Sequence, residues 1–193
     1  MRIASIDFET ANHSDLSICA AGLAVFEDGQ LTESRYWLVK PPKGYGWFRE
    51  DFIAIHGITH EDVRDTPEFP VIAPELLTRL TVADVVVAHN AMFDMRKLRA
   101  TVEHFGLPCP AFDYLCTLQL ARRIWPELAN HQLHTVAAHI GHKFNHHHAQ
   151  EDAEAAGCVM LAMMKQARAN APAELIPQVD MASERFLTNS QHG

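Results

Sequence analysis

A mixed sheet covered by helices, an α/β layered domain, is the fold the sequence predicts. Three observations point there: β-rich apolar runs crowd the first forty residues, strand and helix signals alternate after them, and no linker divides the chain. With 193 residues, 48% hydrophobic and 21% charged, the chain has the composition of one globular core. Aromatic content of 8%, with 9 Gly and 10 Pro, excludes disordered, collagen-like and low-complexity classes.

The elements follow in order. Residues 2–8 (RIASIDF) begin apolar and end on acid, as a central strand does. Residues 18–26 and 31–39 are two further strands, and Asp28-Gly29 between them is a hairpin signal, so three sequential antiparallel strands open the chain. After the loop Pro41-Pro42-Lys43-Gly44-Tyr45-Gly46, residues 51–58 read as a short helix. Thr59 with Asp62 resembles a capping pair for another, and 70–80 has the apolar spacing of a third. Residues 82–89 (VADVVVAH) are short and β-branched, as a strand buried on both faces should be. A helix over 91–105 stops at Gly106 and Pro108, a last strand covers 112–115, and a helix runs from there to Trp125 before Pro126. Helices are also expected over 133–140 and 149–167. This gives a domain over 1–168 and a polar, loosely held tail over 169–193.

No apolar run reaches the roughly 18–20 residues that span a bilayer, and Asp7 interrupts the apolar stretch a signal peptide would need, so a cytoplasmic protein without membrane contact is expected. Cys19, Cys109, Cys116 and Cys158 form no C-x-x-C pair and read as reduced thiols. Sixteen Lys and Arg against 24 Asp and Glu give −8, a balance that speaks against gripping long nucleic acid through phosphates. Seven of the thirteen histidines fall within residues 131–148.

Three acidic sites carry the chemistry. Asp7 and Glu9, at i and i+2 on one strand, project from the same sheet face. Such close carboxylates repel unless a cation sits between them, and at the end of a buried strand metal coordination is the usual remedy. Asp94, in AHNAMFDMRKL (88–98), falls in the first turn of a helix that follows a buried strand, where the helix dipole favours an anion. In HHHAQEDAEAAG (146–157), His147 precedes a helix and Asp152 lies on its first turns. Zinc is the rival for the histidines, but a structural zinc site draws on Cys or spaced His pairs, and neither Cys116 nor Cys158 is near in sequence.

Together these motifs resemble the DEDD 3′–5′ exonuclease superfamily in its DEDDh branch, the group of RNase T, oligoribonuclease and the epsilon proofreading subunit of DNA polymerase III. IDFET (6–10), HNAMFD (89–94) and HHAQED (147–152) look like its three motifs, and IHGIT (55–59) and 116–133 are similar to its linking segments. The resemblance covers about residues 3–165 and departs at Ala11-Asn12-His13-Ser14, where the family often has Thr-Gly.

The resemblance implies an RNase H-like fold and a metal-dependent 3′–5′ exonuclease that releases nucleoside 5′-monophosphates from single-stranded or frayed DNA, in proofreading or repair. By the same resemblance Asp7, Glu9, Asp94 and Asp152 hold two divalent cations, Mg²⁺ or Mn²⁺, and His147 is the general base; His146 and His148 flank it, so that assignment rests on spacing. Thr10, His56, Asn90 and Phe93 are the candidate contacts to the terminal nucleotide. The implied partners are nucleic-acid 3′ ends, DNA before RNA, and a DNA polymerase or repair protein. Two alternatives stay open: an exoribonuclease or oligoribonuclease, and a catalytically silent polymerase-associated module. Trp37, Trp47 and Trp125 read as packing rather than stacking platforms, and the basic excess over 96–123 reads equally as a guide for a nucleic-acid strand or as solvated helix faces.

Overall fold

The computed structural model describes residues 1–108 and 111–186, so Cys109 lies outside the described residues. Among these a six-stranded mixed sheet runs in the order β3-β2-β1-β4-β5-β6. Strands β1 (Arg2–Thr10), β2 (Ile18–Glu27) and β3 (Gln30–Leu38) form the antiparallel half. Asp28 and Gly29 both take positive φ, 48° and 82°, as the tight β2–β3 hairpin demands.

The parallel half is β4 (Val85–Ala88), beside β1, and β5 (Phe112–Cys116), beside β4. β4 starts later than the sequence suggests. Val82 caps the preceding helix, and Asp84 meets Arg2 twice, its carboxylate accepting the Arg2 N–H at 2.7 Å and its own N–H donating to the Arg2 carbonyl at 2.8 Å.

Helices α1 (Glu50–His56), α2 (His60–Val63) and α3 (Phe69–Thr81) link the two halves. Gly57 at φ 76° ends α1, and Thr59 with Asp62 forms the expected capping box of α2. Next come α4 (Met92–His104), α5 (Thr117–Ile124), α6 (Leu133–His139) and the long α7 (Ala149–Ala167).

The sheet separates two apolar cores. Ala4, Ile6 and Phe8 of β1 pack with α3 and α4 on one face, and Ile3 joins Val85, Val87 and Leu115 under α5, α6 and α7 on the other. Alternation therefore turns Ser5, Asp7 and Glu9 toward α7. There Ser5 donates its hydroxyl to the Ala153 carbonyl at 2.6 Å, tying strand to helix.

The expectation of a loosely held segment from 169 onward is corrected through Phe186. Helix α8 (Pro172–Leu175), a 3₁₀ turn (Ile176–Val179) and β6 (Glu184–Phe186) follow, with β6 antiparallel to β5. Leu175 and Phe186 are fully buried, and the Phe186 ring stacks on Phe112 at 4.7 Å. Two anchors bury apolar surface that the polar composition around them conceals.

Candidate active site

The site is built at one end of β1, where a register shift between Glu9 and Thr10 bends the strand. Asp7 and Glu9 point toward α7 from that end, and Asp152, on the first turn of α7, faces them. Carboxylate oxygens of the three lie within 4.8 Å of one another. α7 comes this close because β2 has no side chain in its path. Gly22, paired with Asp7 in the ladder, lies so near the helix that an added Cβ would stand 1.9 Å from the Ala149 carbonyl oxygen. Ala20 and Ala24, on the same face of β2, keep the rest of that crossing low.

Asp152 is bound on both oxygens. Oδ1 meets His146 Nδ1 at 2.7 Å, and Oδ2 accepts the backbone N–H of His147 at 2.8 Å. His147 has φ 69°, and the loop before it is pinned by Asn145, whose backbone and amide N–H groups donate to the two Glu151 oxygens at 2.6 and 2.8 Å. Asn90, between β4 and α4, is also left-handed, at φ 68°. Non-glycine residues held in this region concentrate at functional sites, where the surrounding structure outweighs the strain.

Asp94 sits behind the other acids, 1% exposed, and accepts the Phe8 N–H at 3.0 Å. It is in the first turn of α4, as expected, but its observed partner is the strand.

Electrostatically the cluster is under tension. Burial, reinforced by Asp94, Glu9 and Asp152, raises the Asp7 carboxyl well above its ordinary value. Burial and then Asp152 push Glu9 up to about 8, and burial pushes Asp94 to about 8 against the Phe8 hydrogen bond, which favours its charged form. The donors are hard oxygens facing one another, and Lys97, the buried cation of α4, is spent on the Asp15 carboxylate at 2.9 Å and the Ser14 carbonyl at 3.0 Å. Such a set fits a divalent cation, which would favour every ionised form at once.

A cavity of about 690 Å³ opens over this cluster. Asp7, Glu9, Asp152 and His147 line it together with Thr10, His56, Asn90 and Phe93, whereas Asp94 does not reach it. Burial, then the neighbouring His146, lowers the His147 imidazole below its usual pKa, so the ring is neutral near pH 7.

His56 Nδ1 accepts the Ile58 N–H, so Nε2 carries the proton and donates to the Thr10 carbonyl at 3.1 Å. The candidate contacts Thr10 and His56 are thus one unit. Phe93 is a wall residue, with Lys97 Nζ 5.0 Å from its ring centroid.

Several wall residues had no role assigned from the sequence. Phe52 and Ile55 project from α1, and Arg122 from α5. His89 bridges Thr117 Oγ1 at 3.0 Å and the His131 carbonyl at 2.9 Å. Its buried ring is lowered to about 4, chiefly by desolvation, and is neutral. His89 and Arg122 lie inside motif-like segments, but only the fold shows that they share a cavity. The basic excess over 96–123 does not form one face, because Lys97 is buried, Arg96 pairs with Asp15 at 3.1 Å and Arg99 covers Phe186 at 5.2 Å. Trp125 is buried with Nε1 donating to Gln166, Trp37 packs against the core, and Trp47 is exposed.

Comparison with known proteins agrees with this architecture. The family model RNase_T, described as exonuclease, matches residues 5–160. The 3′-5′ exonuclease DinG of Bacillus subtilis is 27% identical over 99% of this chain, which spans 20% of DinG. The PolC-type DNA polymerase III of Oceanobacillus iheyensis is 35% identical over 59% of the chain, corresponding to 8% of that polymerase. The chain therefore covers only a small part of these relatives. Among solved structures, exonuclease X in complex with 5′ overhanging duplex DNA superposes with a TM-score of 0.72 at 24% identity, covering 92% of this chain and 98% of that one. The nuclease domain of 3′hExo, a DEDDh family member bound to rAMP, also gives 0.72, at 12% identity over 96% of this chain and 97% of its own. At these identities the likeness is one of fold, the RNase H-like fold predicted from the motifs.

Proposed function

The chain belongs to the RNase T exonuclease family, and from that premise we propose that it hydrolyses single nucleotides from the 3′ ends of DNA, single-stranded or frayed, in proofreading or repair. The observation that carries this reading is the gathering of Asp7, Glu9 and Asp152 oxygens within 4.8 Å beneath a cavity that His147 borders.

Asp7, Glu9 and Asp152, with Asp94 behind them, would hold two divalent cations, Mg²⁺ or Mn²⁺. When bound there, such a pair neutralises the phosphate and lowers the pKa of water. The neutral His147 ring accepts the proton of the attacking water. The water oxygen bonds to phosphorus, the bond from phosphorus to the 3′ oxygen of the preceding nucleotide breaks, and that oxygen takes a proton from solvent water to become a new 3′ hydroxyl. A nucleoside 5′-monophosphate departs.

Thr10 and His56, joined by their hydrogen bond, and Asn90 and Phe93 of the same cavity would position the terminal nucleotide. A cavity of about 690 Å³ has the volume of a small-molecule site. With a net charge of −8, binding a few nucleotides at an end is favoured over coating a duplex. Similarity to PolC-type polymerases supports a DNA polymerase as partner.

The test is a time course on 5′-labelled single-stranded DNA, duplex DNA and RNA of one sequence. Stepwise shortening with Mg²⁺ or Mn²⁺, abolished by chelator and fastest on single-stranded DNA, is expected. Faster RNA cleavage would move the reading to an exoribonuclease, and inertness on all three would leave a silent module.

A further inference from the structure

Six histidines line the cavity, and the proposed exonuclease reading gives four of them a structural partner or a role. His56 holds the Thr10 carbonyl, His89 spans Thr117 and the His131 carbonyl, His131 donates to the Trp125 carbonyl at 2.9 Å, and His147 is the proposed base. His134, and His146 with its contact to Asp152, have no assigned task. Neither belongs to the motif spacing, and among the described residues no hydrogen bond engages the His134 ring.

These two rings stand together beside Asp152. His134 and His146 have ring centroids 5.3 Å apart, and His146 stacks on His147 at 3.8 Å. Donor atoms of His146, His147 and Asp152 lie within 4.8 Å of one another, and the His146–Asp152 contact is 2.7 Å. Ligands around a tetrahedral zinc, with bonds of about 2.0–2.1 Å, stand roughly 3.4 Å apart. Small rotations of exposed imidazoles close that difference. His146 and His147 are on the loop and Asp152 on α7, and His134 on α6 places its ring beside that of His146 as a fourth candidate ligand.

We propose that His134, His146, His147 and Asp152 form a second metal site, distinct in chemistry from the carboxylate cluster, that takes a borderline transition-metal ion of the Zn²⁺ class. Imidazole nitrogen favours Zn²⁺, Ni²⁺ and Cu²⁺, whereas Mg²⁺ keeps to oxygen ligands, so the two sites select different ions. Asp152 and His147 are common to both. Occupation by Zn²⁺ withdraws them from the exonuclease centre, and the consequence is inhibition. That consequence rests on the function proposed above; the metal site itself does not.

The full chain is titrated with Co²⁺ in excess Mg²⁺ and, separately, its Mg²⁺-supported hydrolysis of single-stranded DNA is followed as Zn²⁺ is added. One Co²⁺ with the visible bands of a nitrogen-ligated tetrahedral site is expected. His134→Ala, which removes no contact to Asp152, should weaken that binding about tenfold or more and raise the inhibitory Zn²⁺ concentration by the same factor, with the metal-free melting temperature unchanged. His146→Asn, which keeps a donor toward Asp152 but offers no imidazole, should do likewise. Co²⁺ binding and Zn²⁺ inhibition that are unaltered in both variants would overturn the site while leaving the exonuclease function standing. A chain inert on nucleic acid whose cobalt bands still vanish in the variants would do the opposite, upholding the metal site and removing the exonuclease function.

Discussion

Helix α7 crosses β2 at two glycines, and the two crossings are built differently. At the end that carries Asp152, the glycine is on the strand: a Cβ on Gly22 would meet helix backbone, 1.9 Å from the Ala149 oxygen and 2.5 Å from the Gln150 nitrogen. At the other, two helical turns on, the glycine is on the helix: a Cβ on Gly157 would meet the Phe26 ring at 2.1 Å. A ring can swing aside. A helix backbone can move only as a body, taking Asp152 with it. The end that bears the site is thus fixed by main chain against main chain, and the far end by a side chain with room to adapt. Rigid backbone contact is what holds a buried carboxylate against two others while their mutual repulsion pushes it away.

The sharpest probe of that tension is Asp7→Asn. Hydrolysis should fall by more than about 100-fold, since even outer partners of a metal ligand are worth about 10- to 100-fold. The metal-free melting temperature should hold or rise, because one of the mutually repelling acids is gone. Cleavage at the wild-type rate would refute the site. His147→Ala should cost about 10²- to 10⁴-fold in single-turnover rate, the range for a general base. His146→Ala and His148→Ala should cost far less, and the reverse ranking would move the base to another ring.

The contrast between the two crossings is broken or upheld by a pair of variants. Gly22→Ala and Gly157→Ala should each destabilise by about 1–3 kcal/mol, as overpacking does. Only Gly22→Ala should lower the rate per folded molecule, by roughly 100-fold, the scale of a 1 Å misplacement. Equal activity losses in the two would mean that the helix transmits both disturbances alike.

The smallest effect is in pH and metal. Glu9 and Asp94, pushed up to about 8, bind protons more tightly folded than unfolded. Without metal their contribution is fully present below the ordinary carboxylate range and is lost as pH climbs from there through about 8. A cation at 100 times its Kd adds about 2.7 kcal/mol, or about 5–10 °C in a chain of this size. That increment from Mg²⁺, measured by scanning calorimetry, should be larger at pH 8.5 than at pH 6. An increment independent of pH would show that the cation binds elsewhere.

What could be read in advance was local. β1 and β2 announce themselves by contiguous apolar residues, the Asp28-Gly29 turn by two residues that tolerate positive φ, and the acids by their position at the ends of buried runs. Oxygens of Asp7, Glu9 and Asp152 lie within 4.8 Å of one another, a gathering that only the family resemblance implied. What stayed hidden depends on contacts across the chain. Nothing near Asp94 in sequence says that its carboxylate takes the Phe8 N–H, and nothing near His146 says that it meets Asp152. The late start of β4 follows from Val82 closing the preceding helix, and Asp84 is bound to the first residue of another strand. Beyond Arg168, Leu175 and Phe186 are too isolated in a polar stretch to show a periodicity, yet each finds a place in the core.

The loop after β1 is where the motif resemblance lapses, and its shape is borrowed from afar. Asn12 donates through Nδ2 to the carbonyls of Tyr45 and Trp47 at 2.9 and 2.7 Å, and Lys97 clasps Ser14 and Asp15 from α4. A chimera that swapped residues 11–16 for a stretch with no acid at position 15 would import the letters without the anchors, and would strand Lys97 in the interior with no counter-charge. Domain grafting between members of this family therefore has to exchange the loop, the segment through Trp47 and α4 as a set.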